Sequence, residues 1–118
     1  MAETYKRKKL NSDELAALVV MILGDLKAES VKSLDVGHLT ALTDVMIIAS
    51  GRSSRHVSSL SDVLVQRCSA AGYRPIGVEG GGAGEWVLVD LVNVVIHIML
   101  PKAREFYNLE ALWDLQES

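Results

Sequence analysis

The cluster Gly80-Gly81-Gly82-Ala83-Gly84 invites a phosphate-binding reading, because consecutive backbone amides form an anion-binding concavity. Its surroundings do not fit. A Walker loop needs Lys and Ser or Thr after the last glycine, whereas Gly84 runs into Glu85-Trp86, and a dinucleotide loop must lead into a helix rather than a strand. Repeated glycine here reads as a mobile connection. The stronger anion candidate is Arg52-Ser53-Ser54-Arg55-His56, where two guanidinium groups, two hydroxyls and the free amides of a helix start could converge on a phosphate or carboxylate. Helix capping accounts for Ser53 and Ser54 equally well, so a structural role and an anion or RNA-backbone contact both stand. Ser53, His56 and Asp62 have the side chains of a nucleophilic triad but lack the elbow motif that would aim them at one another. His38, His56 and His97 are scattered, without His-x-x-x-His spacing or a cysteine pair, so neither a metal nor a cofactor is expected.

Two further positions interrupt their surroundings. His97 breaks the apolar run Val94-Val95-Ile96 and Ile98-Met99-Leu100, where a lone histidine is more often hydrogen-bonded within the fold than a ligand or base. On the preceding strand, period-two alternation puts Trp86, Leu88 and Asp90 on one face and Glu85, Val87, Val89 and Leu91 on the other. The second set is nearly pure core. The first joins a large aromatic group to a carboxylate, a composition of interface anchors, although Trp86 packed under a following helix is the competing structural reading.

Composition narrows what these residues can serve. A chain of 118 residues with 49% apolar content has enough material for one core, hence one domain. Its net charge of −3, from 12 basic and 15 acidic side chains, argues against a globally basic nucleic-acid coat and suits a basic partner. The single Cys68 excludes an internal disulfide and fits packing in a reducing compartment. No stretch approaches the roughly 20 apolar residues of a membrane span, and no apolar secretory core follows the N-terminus. Lys6-Arg7-Lys8-Lys9 makes a compact basic run, read either as a solvated tail or as an RNA-phosphate contact. The expected organisation is a basic tail over 1–10 and a domain over 11–118.

The elements that must position the candidate residues are legible from periodicity. Leu15, Leu18, Val19, Ile22 and Leu26 predict a helix over about 11–27, opened by a capping box of Asn11 and Glu14. Leu34 and Val36 alternate with polar residues in a short outer strand over 31–36, and the run Val45-Met46-Ile47-Ile48 predicts a central strand buried on both faces. Val57, Leu60, Leu64, Cys68 and Ala71 form the stripe of a second helix ended by Gly72. A short strand over 76–78 follows, then strands over 86–91 and 94–100 separated only by Val92-Asn93, which makes them an antiparallel hairpin. A last helix over about 102–115 would set Phe106, Leu109, Leu112 and Trp113 against the sheet. The order is α-β-β-α-β-β-β-α.

Read together, Leu34-Asp35-Val36, Thr43-Asp44-Val45-Met46-Ile47-Ile48-Ala49-Ser50-Gly51 and Ser53-Ser54-Arg55-His56-Val57 resemble the ribosomal silencing factor, or Iojap-like, family. The resemblance continues through Pro75-Ile76-Gly77-Val78-Glu79-Gly80, Trp86-Val87-Leu88-Val89-Asp90, Val94-Val95-Ile96-His97 and the run from Arg104 to Trp113. It implies a single α/β domain with a mixed five-stranded sheet and a nucleotidyltransferase-like core. It implies docking on ribosomal protein fourteen of the large ribosomal subunit, which excludes the small subunit and lowers translation in nutrient limitation. It implies a non-enzymatic factor of the bacterial cytoplasm, an organelle being the other compartment open to it, and a homodimer when free. By the same resemblance the docking surface would involve Glu79, Trp86, Asp90, His97, Arg104 and Tyr107. Two places depart from the family pattern: Val92-Asn93 stands where Gly-Asp is common, and Gly81-Gly82-Ala83-Gly84 is richer in glycine.

Two other function classes make distinct demands. A small nucleotidyltransferase would share the implied fold, but it needs a magnesium-holding carboxylate pair, and no Asp-x-Asp or Asp-x-Glu lies between Ser54 and Trp86. An RNA-binding module using Lys6 to Lys9 and Arg52 to Arg55 would bind naked RNA with steep salt dependence.

Overall fold

The computed structural model describes residues 9–80 and 84–112. Lys6 to Lys8 of the basic run, Gly81 to Ala83 of the glycine cluster, Trp113 and Leu115 lie outside the described residues. The first helix, α1 (Ser12–Asp25), starts at the expected capping box: Asn11 Oδ1 accepts from the Glu14 amide at 2.8 Å, and Glu14 Oε1 accepts from the Asn11 amide at 2.9 Å. It ends two residues sooner than periodicity alone suggests. Lys27 takes a left-handed φ of 66°, and the Ala28 amide turns back to the Leu23 carbonyl at 2.9 Å, which closes the helix.

Next come β1 (Glu29–Asp35) and β2 (Val45–Ser50), then α2 (Ser54–Ala70), β3 (Gly77–Glu79), β4 (Trp86–Asp90), β5 (Val94–Met99) and α3 (Pro101–Tyr107). The sheet order is β1-β2-β5-β4-β3. β2 and β5 run parallel and every other pair is antiparallel. β1 is an outer strand, as its half-polar alternation requires. All six residues of β2 are buried, but β5 rather than β2 takes the central place. Two positions correct the sequence reading. Ala71 is the exposed C-cap of α2 and no part of its core stripe. The last helix is not continuous, because Asn108 adopts φ 48° and ψ 53° and stops α3 after seven residues. A second helical segment begins at Leu109. The break swings the apolar positions out of one register: of the three described, Phe106 is 79% and Leu112 52% exposed, and Leu109 packs against the core.

The core is divided by the sheet. On one side α1 and α2 bring Leu15, Val19, Ile22, Leu23, Val57, Leu60, Leu64 and Cys68 against Val45, Ile47, Val87, Val89, Ile96 and Ile98. On the other, a smaller cluster of Leu34, Val36, Met46, Ile48 and Met99 is met by Trp86, Ala103 and Leu109.

Candidate docking face

Residues opposite one another across adjacent strands project from the same face of a sheet, so the register fixes what the thinly covered side presents. One row runs Glu79, Leu88, His97 and Ile48; a second runs Gly77, Asp90, Val95 and Met46; a third runs Trp86, Met99 and Ser50. Glu79, Trp86, Asp90 and His97, named from sequence, therefore lie on one surface. α3 closes over the end nearest Ile48 and Met99, and its Tyr107 ring stacks on Trp86 with centroids 4.7 Å apart, tilted by 50°. Trp86 and Leu88 are half-buried. Tryptophan thus packs beside the last helix, as the structural reading expects, and keeps part of its ring at the surface.

His97 is only 7% exposed and lies against Trp86, whose Nε1–H donates to His97 Nδ1 at 3.0 Å. That bond needs an unprotonated Nδ1, so the imidazole is neutral with its proton on Nε2. Burial pushes its pKa down to about 4. His97 acts as the prop that orients the Trp86 indole.

Arg104 is spent internally. Its Nε and Nη2 form a bidentate pair with Glu110 at 2.8 and 3.1 Å, while Nη1 donates to the Ser30 carbonyl at 2.7 Å and Ser50 Oγ at 2.9 Å. The hydrogen bond from Arg104 holds the Glu110 carboxyl below its ordinary pKa. The guanidinium thereby ties α3, the segment after Asn108, and a β1 bulge where Ser30 has φ 49° and the register shifts between Glu29 and Lys32. Sequence spacing concealed this group, since Arg104 and Glu110 lie six apart and meet only because the chain breaks between them.

The loop before α2 is built differently. Ser53 is its N-cap, accepting from the His56 amide at 3.1 Å. The His56 ring accepts from the Arg52 amide at Nδ1, 2.9 Å, and its Nε2 reaches the Leu26 carbonyl at 3.0 Å, which fixes an Nε2–H tautomer. Both ring nitrogens are thus bound to backbone, which leaves His56 unable to serve Ser53 as a base. Arg52, Ser53, Ser54 and Arg55 are exposed on this loop. Glycine is required at both flanks of the Gly81–Ala83 segment: a Cβ on Gly80 would collide with the Trp86 carbonyl oxygen, and one on Gly84 would come within 2.7 Å of Ser54 Cβ, both at positive φ. Among the described residues there is no cluster of metal-binding side chains, and no helix is long and apolar enough to cross a membrane.

A family model described as ribosomal silencing factor during starvation matches residues 9–118. The chain is 41% identical to the ribosomal silencing factor of Chromobacterium violaceum over 88% of its own length and 85% of that protein. It is 40% identical to the one from Haemophilus influenzae, over 84% and 97%. A crystal structure of a Chromobacterium violaceum protein superposes with a TM-score of 0.87 at 40% identity, covering 89% of this chain and 88% of the other. Sequence motifs, sheet topology and these relatives converge, and the chain belongs to the ribosomal silencing factor family.

Proposed function

We propose that this factor docks through the face of β3, β4 and β5, completed by α3, on ribosomal protein fourteen of the large subunit. From there its bulk bars the small subunit and lowers translation in nutrient limitation. The observation that carries the reading is the shared face of Glu79, Leu88, Trp86 and Asp90, an aromatic anchor flanked by carboxylates. Carboxylates suit a basic ribosomal protein, and a polar rim around an apolar centre is the usual anatomy of a specific interface. Steric exclusion needs no catalytic group. Glu79 and Asp90 meet the partner's cations, Trp86 and Tyr107 its apolar centre, and His97 and Arg104 hold those rings in place. Arg52 and Arg55, with Lys9, add a peripheral contact to ribosomal RNA. In the free protein a second copy covers the same face. The setting is the bacterial cytoplasm.

The experiment is sedimentation of the full chain with isolated large subunits, native against Trp86→Ala, followed by addition of small subunits. Co-sedimentation that the substitution abolishes, with fewer joined ribosomes in the native sample, is the expected result. A native chain that stays at the top of the gradient would sink the proposal. Light scattering that finds only a 12.8 kDa species at micromolar concentration would remove the dimer.

A further inference from the structure

The apolar surface does not stop at Trp86. Tyr107 stacks on Trp86, and Phe106, 79% exposed, meets Tyr107 edge-on with centroids 4.9 Å apart. The three rings form one stripe from the sheet onto α3. Beside it lies an open groove of about 590 Å3, lined by Leu100, Ala103, Phe106 and Tyr107 together with Glu85, Glu105 and Lys102. An exposed phenylalanine on a helix with no buried residues contributes little to the fold. A groove of this size admits a short peptide segment rather than a lone side chain.

We infer that the groove beside Phe106 is a second docking pocket, which takes an apolar side chain carried on a basic segment of the protein partner. The inference rests on the docking reading above and extends its surface from the sheet to α3. Two observations choose the occupant. The groove is continuous with Trp86 through Tyr107, so a partner seated on the sheet face reaches it without a gap. Charge selects a basic segment: Glu85 and Glu105 line the groove, Glu79 and Asp90 stand on the adjoining face, and Lys102 is the one cation among the described lining residues. An anchoring ring rimmed by charge concentrates binding energy in a few residues.

The test compares four full-length proteins with isolated large subunits: native, Trp86→Ala, Phe106→Ser, and the double variant Glu85→Lys with Glu105→Lys. Phe106→Ser is expected to bind about tenfold more weakly with an unchanged melting temperature, as truncation of an interface anchor does, and the double variant to lose affinity most at low salt. Binding of Phe106→Ser within about twofold of native, while Trp86→Ala fails, overturns the pocket and leaves the docking reading intact. The pocket is equally overturned if Phe106→Ser alters only self-association in light scattering, or if its defect persists on deproteinised large-subunit RNA. Native protein that does not co-sediment overturns both readings.

Discussion

The two faces of the sheet are made from the same strands and do opposite work. Toward α1 and α2, Val87, Val89, Ile96 and Ile98 are wholly buried beneath two helices of 14 and 17 residues. Toward α3, the same two strands present Trp86, Leu88, Asp90 and Val95, all half-buried, under a helix of seven residues with none buried. One face holds the fold together, and the other is kept partly open at a cost in burial. The openness of this second face does not come from its residue types alone. It depends on a helix too short to finish covering a sheet, and on polar contacts that do what packing does elsewhere.

Truncation on the closed face should have the largest effect. Leu60→Ala removes a fully buried side chain from the center of the α2 stripe, and should cost about 3 kcal/mol, read as a lower urea midpoint with an unchanged slope. Leu88→Ala on the open face should cost less than about 1 kcal/mol. Comparable losses at the two sites would erase the distinction. Proton linkage at His97 is next. Its pKa falls from 6.5 in the unfolded chain to about 4 in the folded one, so between those values the unfolded chain holds the extra proton. Stability is full above about pH 6.5 and is lost as pH falls toward 4, by on the order of 3 kcal/mol at the lower end. Carboxylates titrate in the same window, so the diagnostic is the difference between native protein and His97→Gln, whose amide oxygen can still accept from Trp86. The variant should have the shallower pH dependence of unfolding.

Arg104 sharpens the contrast from the other direction. Arg104→Ala leaves Glu110 without its bidentate partner and the Ser30 carbonyl without its donor, and should destabilise by about 2 kcal/mol. Arg104→Lys should recover less than half, because an ammonium cannot reproduce the fork. Differential scanning calorimetry of the three proteins decides this, and full recovery by lysine would show that charge alone matters.

What was legible in the sequence follows the same division. Elements whose partners repeat at a fixed period were readable: the α1 capping box, the apolar run of β2, the α2 stripe up to Cys68, and the β4–β5 hairpin, although its link is three residues, Leu91 to Asn93, rather than two. The separation of Trp86, Leu88 and Asp90 from the core face was readable for the same reason. What escaped was set by single backbone conformations that periodicity does not encode. Left-handed residues at Lys27, Ser30 and Asn108 shortened α1, bulged β1 and cut the last helix. None is a glycine, so composition gave no warning. The Arg104 group, created by the second and third of these, was invisible until the chain was folded. His97 was flagged by type, yet its bond to Trp86 depends on the β4–β5 register.

The smallest expected effect lies where the two faces meet, at the hairpin turn. Val92 has φ 76°, a region that a β-branched residue enters only under strain. The Asn93 amide bonds across it to the Leu91 carbonyl at 3.0 Å, and Asp90 Oδ1 accepts from the Val92 amide at 2.8 Å. Asp90 therefore uses one carboxylate oxygen to hold the turn. Replacing Val92 with glycine removes the steric penalty while raising the entropy of the unfolded chain. Val92 is 47% exposed, so little packing is lost. The net should be a gain of about 0.5 kcal/mol, seen as a slightly higher melting temperature. Because the bond to Asp90 is made by a backbone amide, it survives the substitution, and affinity for the large subunit should hold within about twofold. A rise in stability with a fall in affinity would mean that the strained turn helps aim the Asp90 carboxylate, and that the open face depends on its border with the closed one.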